Sequence, residues 1–255
     1  MKNPKTFIFF LCLLSLLSCN SDLSTEKVEK IELIGATIDI TQSPTDKKDN
    51  GISVDLFDKK GRIIRNDSIT IIVNGVEGEL YHKQGLYYTD ESKYHLSDIP
   101  VNDTYTVEIK LTDGQKYILG TIKALSEEKI ENIECDERGD LTKNTVIKWK
   151  DLKSIDELSI YTSILLKTPP KREDGSDNSK DKYYEYKDEI VKKIRSSGEL
   201  TFLKSKYVDA TSITTGFELE FRTTKSGKMN PKLLKNSGIT ISTSIKKNIN
   251  LEKEE

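Results

Sequence analysis

Thr104-Tyr105-Thr106-Val107-Glu108-Ile109-Lys110-Leu111-Thr112-Asp113-Gly114-Gln115-Lys116-Tyr117-Ile118-Leu119-Gly120-Thr121-Ile122-Lys123 reads as strand, turn and strand. Asp113-Gly114 suits a two-residue hairpin loop, because its central positions accept positive φ. That loop sets Ile109 opposite Ile118, Val107 opposite Gly120 and Tyr105 opposite Ile122, while Glu108, Lys110 and Thr112 share the other face. Directly opposed residues lie on one face of an antiparallel pair. Turn and pattern therefore specify one register independently. A hairpin apolar on one face and polar on the other belongs to a half-solvated antiparallel sheet.

The same signature recurs on the N-terminal side. Asn74-Gly75 suits a type I′ turn, with Val73 opposite Val76, Ile71 opposite Gly78 and Ile69 opposite Leu80. Ile38 and Ile40 flank Asp39; Ile52, Val54 and Leu56 alternate with Ser53 and Asp55 and end at Asp58-Lys59-Lys60-Gly61. Gly85-Leu86-Tyr87-Tyr88 and Tyr94-His95-Leu96 add further strand-like pieces. Helical periodicity and a Gly-rich phosphate loop are both missing from this half, which excludes a doubly wound nucleotide-binding fold. Residues 31–125 are predicted to form one β-sandwich.

Leu125-Ser126-Glu127-Glu128-Lys129 breaks the alternation and reads as a linker. A second β pattern fills 130–250: Thr145, Ile147 and Trp149; Leu158, Ile160, Thr162, Ile164 and Leu166; Phe217, Leu219 and Phe221; Ile239, Ile241, Thr243 and Ile245. The expected fold class is all-β, two consecutive β-sandwiches. An interruption at 169–198 is expected inside the second. Pro169-Pro170 stops a strand and a charged loop follows. Tyr183, Tyr186, Ile190, Val191 and Ile194 then fall on one helical face, and Ser197-Gly198 supplies a stop, so a short helix is predicted there.

The N-terminus carries an address. Lys2 and Lys5 precede an apolar run, Phe7 to Leu17, far shorter than the ~20 residues a spanning helix needs. A basic start, a short apolar stretch and small residues before a cut site read as an export signal. Leu16-Leu17-Ser18-Cys19 resembles the lipobox of bacterial lipoproteins. The resemblance implies a signal peptide at 1–18, cleavage between Ser18 and Cys19, and acyl chains on Cys19. Two or more chains hold a protein stably on a membrane. Residues 19–30 are expected to be a lipidated, polar tether.

Composition narrows the classes further. The chain has 255 residues, a formal net charge of −2 and 32% charged residues, with the signs interleaved. A nucleic-acid binder would show a basic stripe. Of the three cysteines, Cys12 leaves with the signal and Cys19 carries lipid, so Cys135 has no partner for an intramolecular disulfide and is expected to be a small buried group.

Trp149 and Tyr161, twelve residues apart on successive strands, resemble the strand-B Trp and strand-C Tyr of a fibronectin type III sandwich across roughly 130–250. Together with the lipobox, the run Gly85-Leu86-Tyr87-Tyr88 leading to Tyr105–Ile109, and Asp113-Gly114, they make the chain similar to the two-domain, immunoglobulin-like plus fibronectin-like lipoproteins of Bacteroidota. The resemblance implies an outer-membrane location, periplasmic or cell-surface, and a place beside TonB-dependent transporters. It brings no catalytic residue with it.

A search for chemistry finds no HExxH, GxSxG, CxxC or Walker sequence. No enzyme, cofactor or metal is expected; a hydrolase with an unrecognised site is the minor alternative. His82 and His95 lie in adjacent β pieces and are weighed as a metal pair against simple solvation, which is favoured. Asp136, Glu137 and Asp140 read as a solvated turn, and Arg138-Gly139-Asp140 as a chance tripeptide. The tyrosines are the candidate contacts. Tyr87 and Tyr88 cannot both face one core, and Tyr183 and Tyr184 sit in the insertion. Exposed rings bring large area at small entropic cost. The expected function is a non-catalytic envelope module that binds a protein or a glycan, the alternative being a dedicated carbohydrate-binding module.

Overall fold

A computed structural model describes residues 21–84, 90–101, 103–168 and 182–252. The chain is all-β: among the described residues its only helices are short 3-10 turns, and no helix there is long and apolar enough to cross a membrane. It divides into two compact units. The first takes the described residues up to Gln42, then Lys48–Ala124 and Lys225–Ile241; the second takes Ser43–Lys47, Leu125–Thr224 and the described residues from Ser242. The chain thus returns to the first unit after building most of the second, which a reading of two consecutive blocks did not anticipate.

The first unit contains β1 (Gly35–Gln42), β2 (Asn50–Phe57), β3 (Thr70–Val73), β4 (Val76–Gln84), β5 (Asp90–Ser97), β6 (Thr104–Lys110) and β7 (Lys116–Lys123). Ile38, Ile40, Ile52, Val54 and Leu56 are buried, as their alternation requires. β4 belongs to two sheets. Val76–Gly78 pairs with β3, while Glu79–Gln84 pairs with β5. Val73 faces Val76 and Ile71 faces Gly78 as predicted, but Leu80 faces Tyr94 rather than Ile69. Asn74 and Gly75 have φ of 47° and 87°, the backbone of a type I′ turn.

The β6–β7 hairpin departs from the expected register near its turn. Leu111 N–H donates to Gln115 O and Gly114 N–H to Leu111 O, so the loop has one residue more than the two-residue reading allows. Gly114 takes φ 83°, the left-handed conformation that closes such a loop. Ile109 consequently pairs with Tyr117, and Glu108 with Ile118. A bulge between Val107 and Glu108 then restores Val107 opposite Gly120 and Tyr105 opposite Ile122. Ile118 is turned to solvent, 49% exposed, and Leu119 fills the core in its place.

Residues 21–33, expected in large part to be a tether, are docked on the first unit. Ser21, Val28 and Ile31 are buried. Ser21 N–H donates to Ile63 O at 3.0 Å, and Thr112 N–H to Val28 O at 3.2 Å. Asn66 Nδ2 donates to the carbonyls of Leu23 and Glu26. The sequence looked free because the segment's hydrogen-bond partners, Asp58, Arg62, Ile63 and Asn66, are distant in sequence.

The second unit contains β8 (Ile133–Glu134), β9 (Arg138–Asp140), β10 (Thr145–Trp149), β11 (Glu157–Leu166), β12 (Tyr184–Tyr186), β13 (Ile190–Lys193), β14 (Gly198–Phe202) and most of β15 (Ser212–Ser226). The short β16 (Lys228–Met229) lies in the first unit, pairing with β7, and β17 (Gly238–Glu252) closes the chain. One sheet of the second unit has the order β8-β10-β14; the other runs β12 and β13, then β11, β15 and β17, with β9 parallel to β17. Ile147, Trp149, Leu158, Ile160, Phe217, Leu219 and Phe221 form the core between them. Trp149 meets Phe221 edge-on, with ring centroids 5.7 Å apart. Tyr161 points to the opposite face of its sheet and donates to Glu189.

The predicted helix at the insertion is a pair of edge strands. β12 pairs with Ser163–Leu165 and β13 with Glu157–Ile160. Tyr, Ile and Val favour extended backbone, and β11 offers them an unpaired row of N–H and C=O groups. A short apolar run fits either period, and here tertiary pairing decides. The charged loop at 169–181 lies outside the described residues. The segment read as a linker also has a structural role. Glu128 is 4% exposed, and its carboxylate accepts from the backbone N–H groups of Lys153 and Ser154.

Candidate binding face of the second unit

The outer face of the β12/β13-β11-β15 sheet carries the functional candidates. Alternation puts Leu158, Ile160, Phe217, Leu219 and Phe221 inside, leaving Tyr161, Ser163, Glu218, Glu220 and Arg222 outside. Tyr186 pairs with Ser163 and Tyr184 with Leu165, so both rings stand on that outer face. They are 68% and 61% exposed.

Beside Tyr186 runs a groove of about 230 Å³ lined by Ser163, Glu218, Asn248 and Asn250 over the backbone of Gly216 and Ile249. Gly216 is required there. A Cβ at that position would lie 2.5 Å from the Ile249 carbonyl oxygen and 3.4 Å from Ser163 Oγ. The Ser163 hydroxyl is hydrogen-bonded to Thr215 Oγ1 at 2.9 Å. Glu218 is held by Lys246 at 3.2 Å. The groove thus offers amides, a hydroxyl and a carboxylate next to an exposed ring.

Farther along the face, Arg222 gathers three carboxylates: Glu157 at 2.7 Å, Glu189 at 3.5 Å and Glu220 at 3.8 Å. Lys193 reaches Glu157 at 3.0 Å. Hydrogen bonds from Arg222 and Lys193 hold the Glu157 carboxyl below its ordinary range. The Glu189 carboxylate accepts the Tyr161 phenol at 2.9 Å, which pushes that phenol up. These groups pair with one another and give the groove a mixed-charge border.

The sequence candidates fare unevenly. Tyr184 is on the face. Tyr183 is half-buried, and its carbonyl accepts from Leu166 N–H. Tyr87, Tyr88, Ser18 and Cys19 lie outside the described residues. Ser163, Asn248 and Asn250 were not singled out as contacts, and Tyr186 was read as part of the insertion's tyrosine cluster and its helical face; the period-two signal of Tyr184-Glu185-Tyr186 was masked by that reading. The two histidines are not brought together, since His95 pairs with Glu79 and His82 with Ser92. No group of three metal-ligating side chains occurs among the described residues. Asp140 binds Thr142 N–H at 2.7 Å and Lys143 at 3.1 Å, and the Thr142 N–H and hydroxyl hold its carboxyl at about 2. Arg138-Gly139-Asp140 is strand β9, paired with β17 rather than displayed at a loop tip. Cys135 packs against the core, and burial pushes its thiol up.

No protein-family model matches the chain, and no curated protein matches it. Among solved structures it is similar to the adhesin InvE of Yersinia pseudotuberculosis, at 9% identity and a TM-score of 0.23, covering 85% of this chain and 58% of that one. It is also similar to SGBP-B of the mixed-linkage glucan utilization locus of Bacteroides ovatus, a structure in complex with a mixed-linkage heptasaccharide. That match has 11% identity and a TM-score of 0.20, covering 87% of this chain and 60% of that one. The chain thus spans less than two thirds of the length of either.

Proposed function

We infer that the protein is a non-catalytic binding module of the cell envelope, anchored to the outer membrane by lipid on Cys19, and that its ligand lies on the outer face of the second unit. One observation carries the reading: Tyr186, 68% exposed, stands beside a groove lined by Ser163, Glu218, Asn248 and Asn250. A sugar ring has an apolar face to stack on a phenol and hydroxyls to exchange with amides and carboxylates, so a glycan suits the site. Glu218, the carboxylate in the groove, is tied to Lys246 at 3.2 Å and keeps acceptor positions for sugar hydroxyls.

The strand order β8-β10-β14 against β11-β15-β17, with β9 parallel to β17, supports a fibronectin-like reading of this unit. A place beside a TonB-dependent transporter rests on the lipoprotein resemblance. A protein partner is the second reading, favoured by Ile190 and Val191 on edge strand β13, 51% and 47% exposed. Glycan-array screening of the mature protein, followed by calorimetry with Tyr186→Ala and Asn248→Ala, tests the site. Binding that both substitutions weaken at unchanged stability supports it. A blank array, with an envelope protein crosslinked at Val191, supports the partner reading instead.

A further inference from the structure

The docked N-terminal segment has a consequence for how the protein stands on its membrane. We propose that the pole of the first unit formed by Asp58–Arg62 rests directly in the lipid headgroup layer, locked there by Ser21. This rests on acylation of Cys19.

Ser21 is 4% exposed, with its N–H on Ile63 O at 3.0 Å and its hydroxyl on Asp58 Oδ2 at 2.9 Å. Arg62 closes the clamp by bridging Asp58 at 2.8 Å and Asp22 at 2.9 Å. Only Asn20 separates Ser21 from Cys19. Consecutive Cα atoms are 3.8 Å apart, so Ser21 lies within ~7 Å of the acylated residue. The headgroup layer of one leaflet is itself roughly 5–7 Å deep. A clamped Ser21 cannot leave the first unit, and lipid on Cys19 cannot leave the bilayer. The exposed Lys59 and Lys60, in the same turn as Asp58, are therefore brought among lipid phosphates. The opposite end of β2, at Asn50, lies ~23 Å away along the strand. There Asn50 binds Ile99, and Asn74 binds Pro100, so the turn before Glu77 marks the far pole.

The test uses the full acylated protein in lipid vesicles carrying a headgroup-level quencher. Fluorophores are placed at Lys60→Cys or Glu77→Cys in a Cys135→Ala background, with acylation confirmed by mass spectrometry. The expected result is loss of most emission at position 60 and little at position 77. A flexible Gly-Ser linker of about twenty residues inserted between Asn20 and Ser21 should free the pole from the surface and bring the two signals together, with the fold intact by circular dichroism. Equal quenching at both positions in an acylated protein overturns the clamped geometry while leaving the anchor standing. An unmodified Cys19 overturns both.

Discussion

Asp58 and Arg62 form a closed loop on themselves: the guanidinium lies 2.8 Å from Asp58 Oδ2, and the Arg62 backbone N–H donates to Asp58 Oδ1 at 3.0 Å. The Asp58 carboxyl is 6% exposed, and its oxygens also accept from Lys60 N–H and the Ser21 hydroxyl. Burial pushes this carboxyl up, but the backbone N–H of Arg62, the Ser21 hydroxyl and the guanidinium outweigh it and hold it at about 2.

Acid should release that interaction. A carboxyl whose folded pKa is depressed from 3.8 to about 2 contributes stability above the unfolded value and loses it as pH falls through the folded one. The contribution is about 2 kcal/mol. Urea midpoints measured between pH 5 and pH 2 should fall less steeply for Asp58→Asn than for the parent. Parallel curves would contradict the assignment.

The bulge in the β6–β7 hairpin makes a sharp comparison. Leu119 is fully buried and Ile118 is 49% exposed. Leu119→Ala should cost roughly 2–5 kcal/mol, and Ile118→Ala less than about 1 kcal/mol. Chemical denaturation of the two variants settles the register; the reverse order would restore the simple two-residue loop.

Gly216→Ala forces a methyl to within 2.5 Å of a backbone carbonyl. Backbone cannot rotate away as a side chain does, so a loss of about 1–3 kcal/mol is expected. Thermal melts should show it, together with reduced ligand binding, because the groove floor moves.

Glu128→Ala leaves the N–H groups of Lys153 and Ser154 without their carboxylate. Losing hydrogen bonds to a charged acceptor costs roughly 1.5–3 kcal/mol. Hydrogen exchange at Lys153 and Ser154 should accelerate in the variant, whereas a free linker residue would leave it unchanged.

Much of this fold was legible because its signals were local. Ile52, Val54 and Leu56 announce a half-buried strand, and Asn74-Gly75 announces the turn between β3 and β4. Other features were set by partners distant in sequence. Tyr184–Tyr186 and Ile190–Lys193 are strands because β11 offers an open edge, which no window around residue 185 contains. The clamp of Ser21 depends on Asp58 and Ile63, some forty residues on. The groove beside Tyr186 draws Asn248 and Asn250 from the last strand. A site assembled from four separated strands leaves no contiguous motif to read.

The return of Lys225–Ile241 to the first unit bears on the order in which the chain can mature. This segment contributes Leu233, Ile239 and Ile241 to the buried interior, and β16 pairs with β7. As the polypeptide emerges from a ribosome or a translocation channel, the N-terminal unit waits with an uncovered flank until Lys225–Ile241 has followed, about a hundred residues after Ala124. A stalled or truncated product therefore exposes apolar strand to any chaperone or protease nearby, and the protein cannot be inherited, trimmed or exchanged one unit at a time.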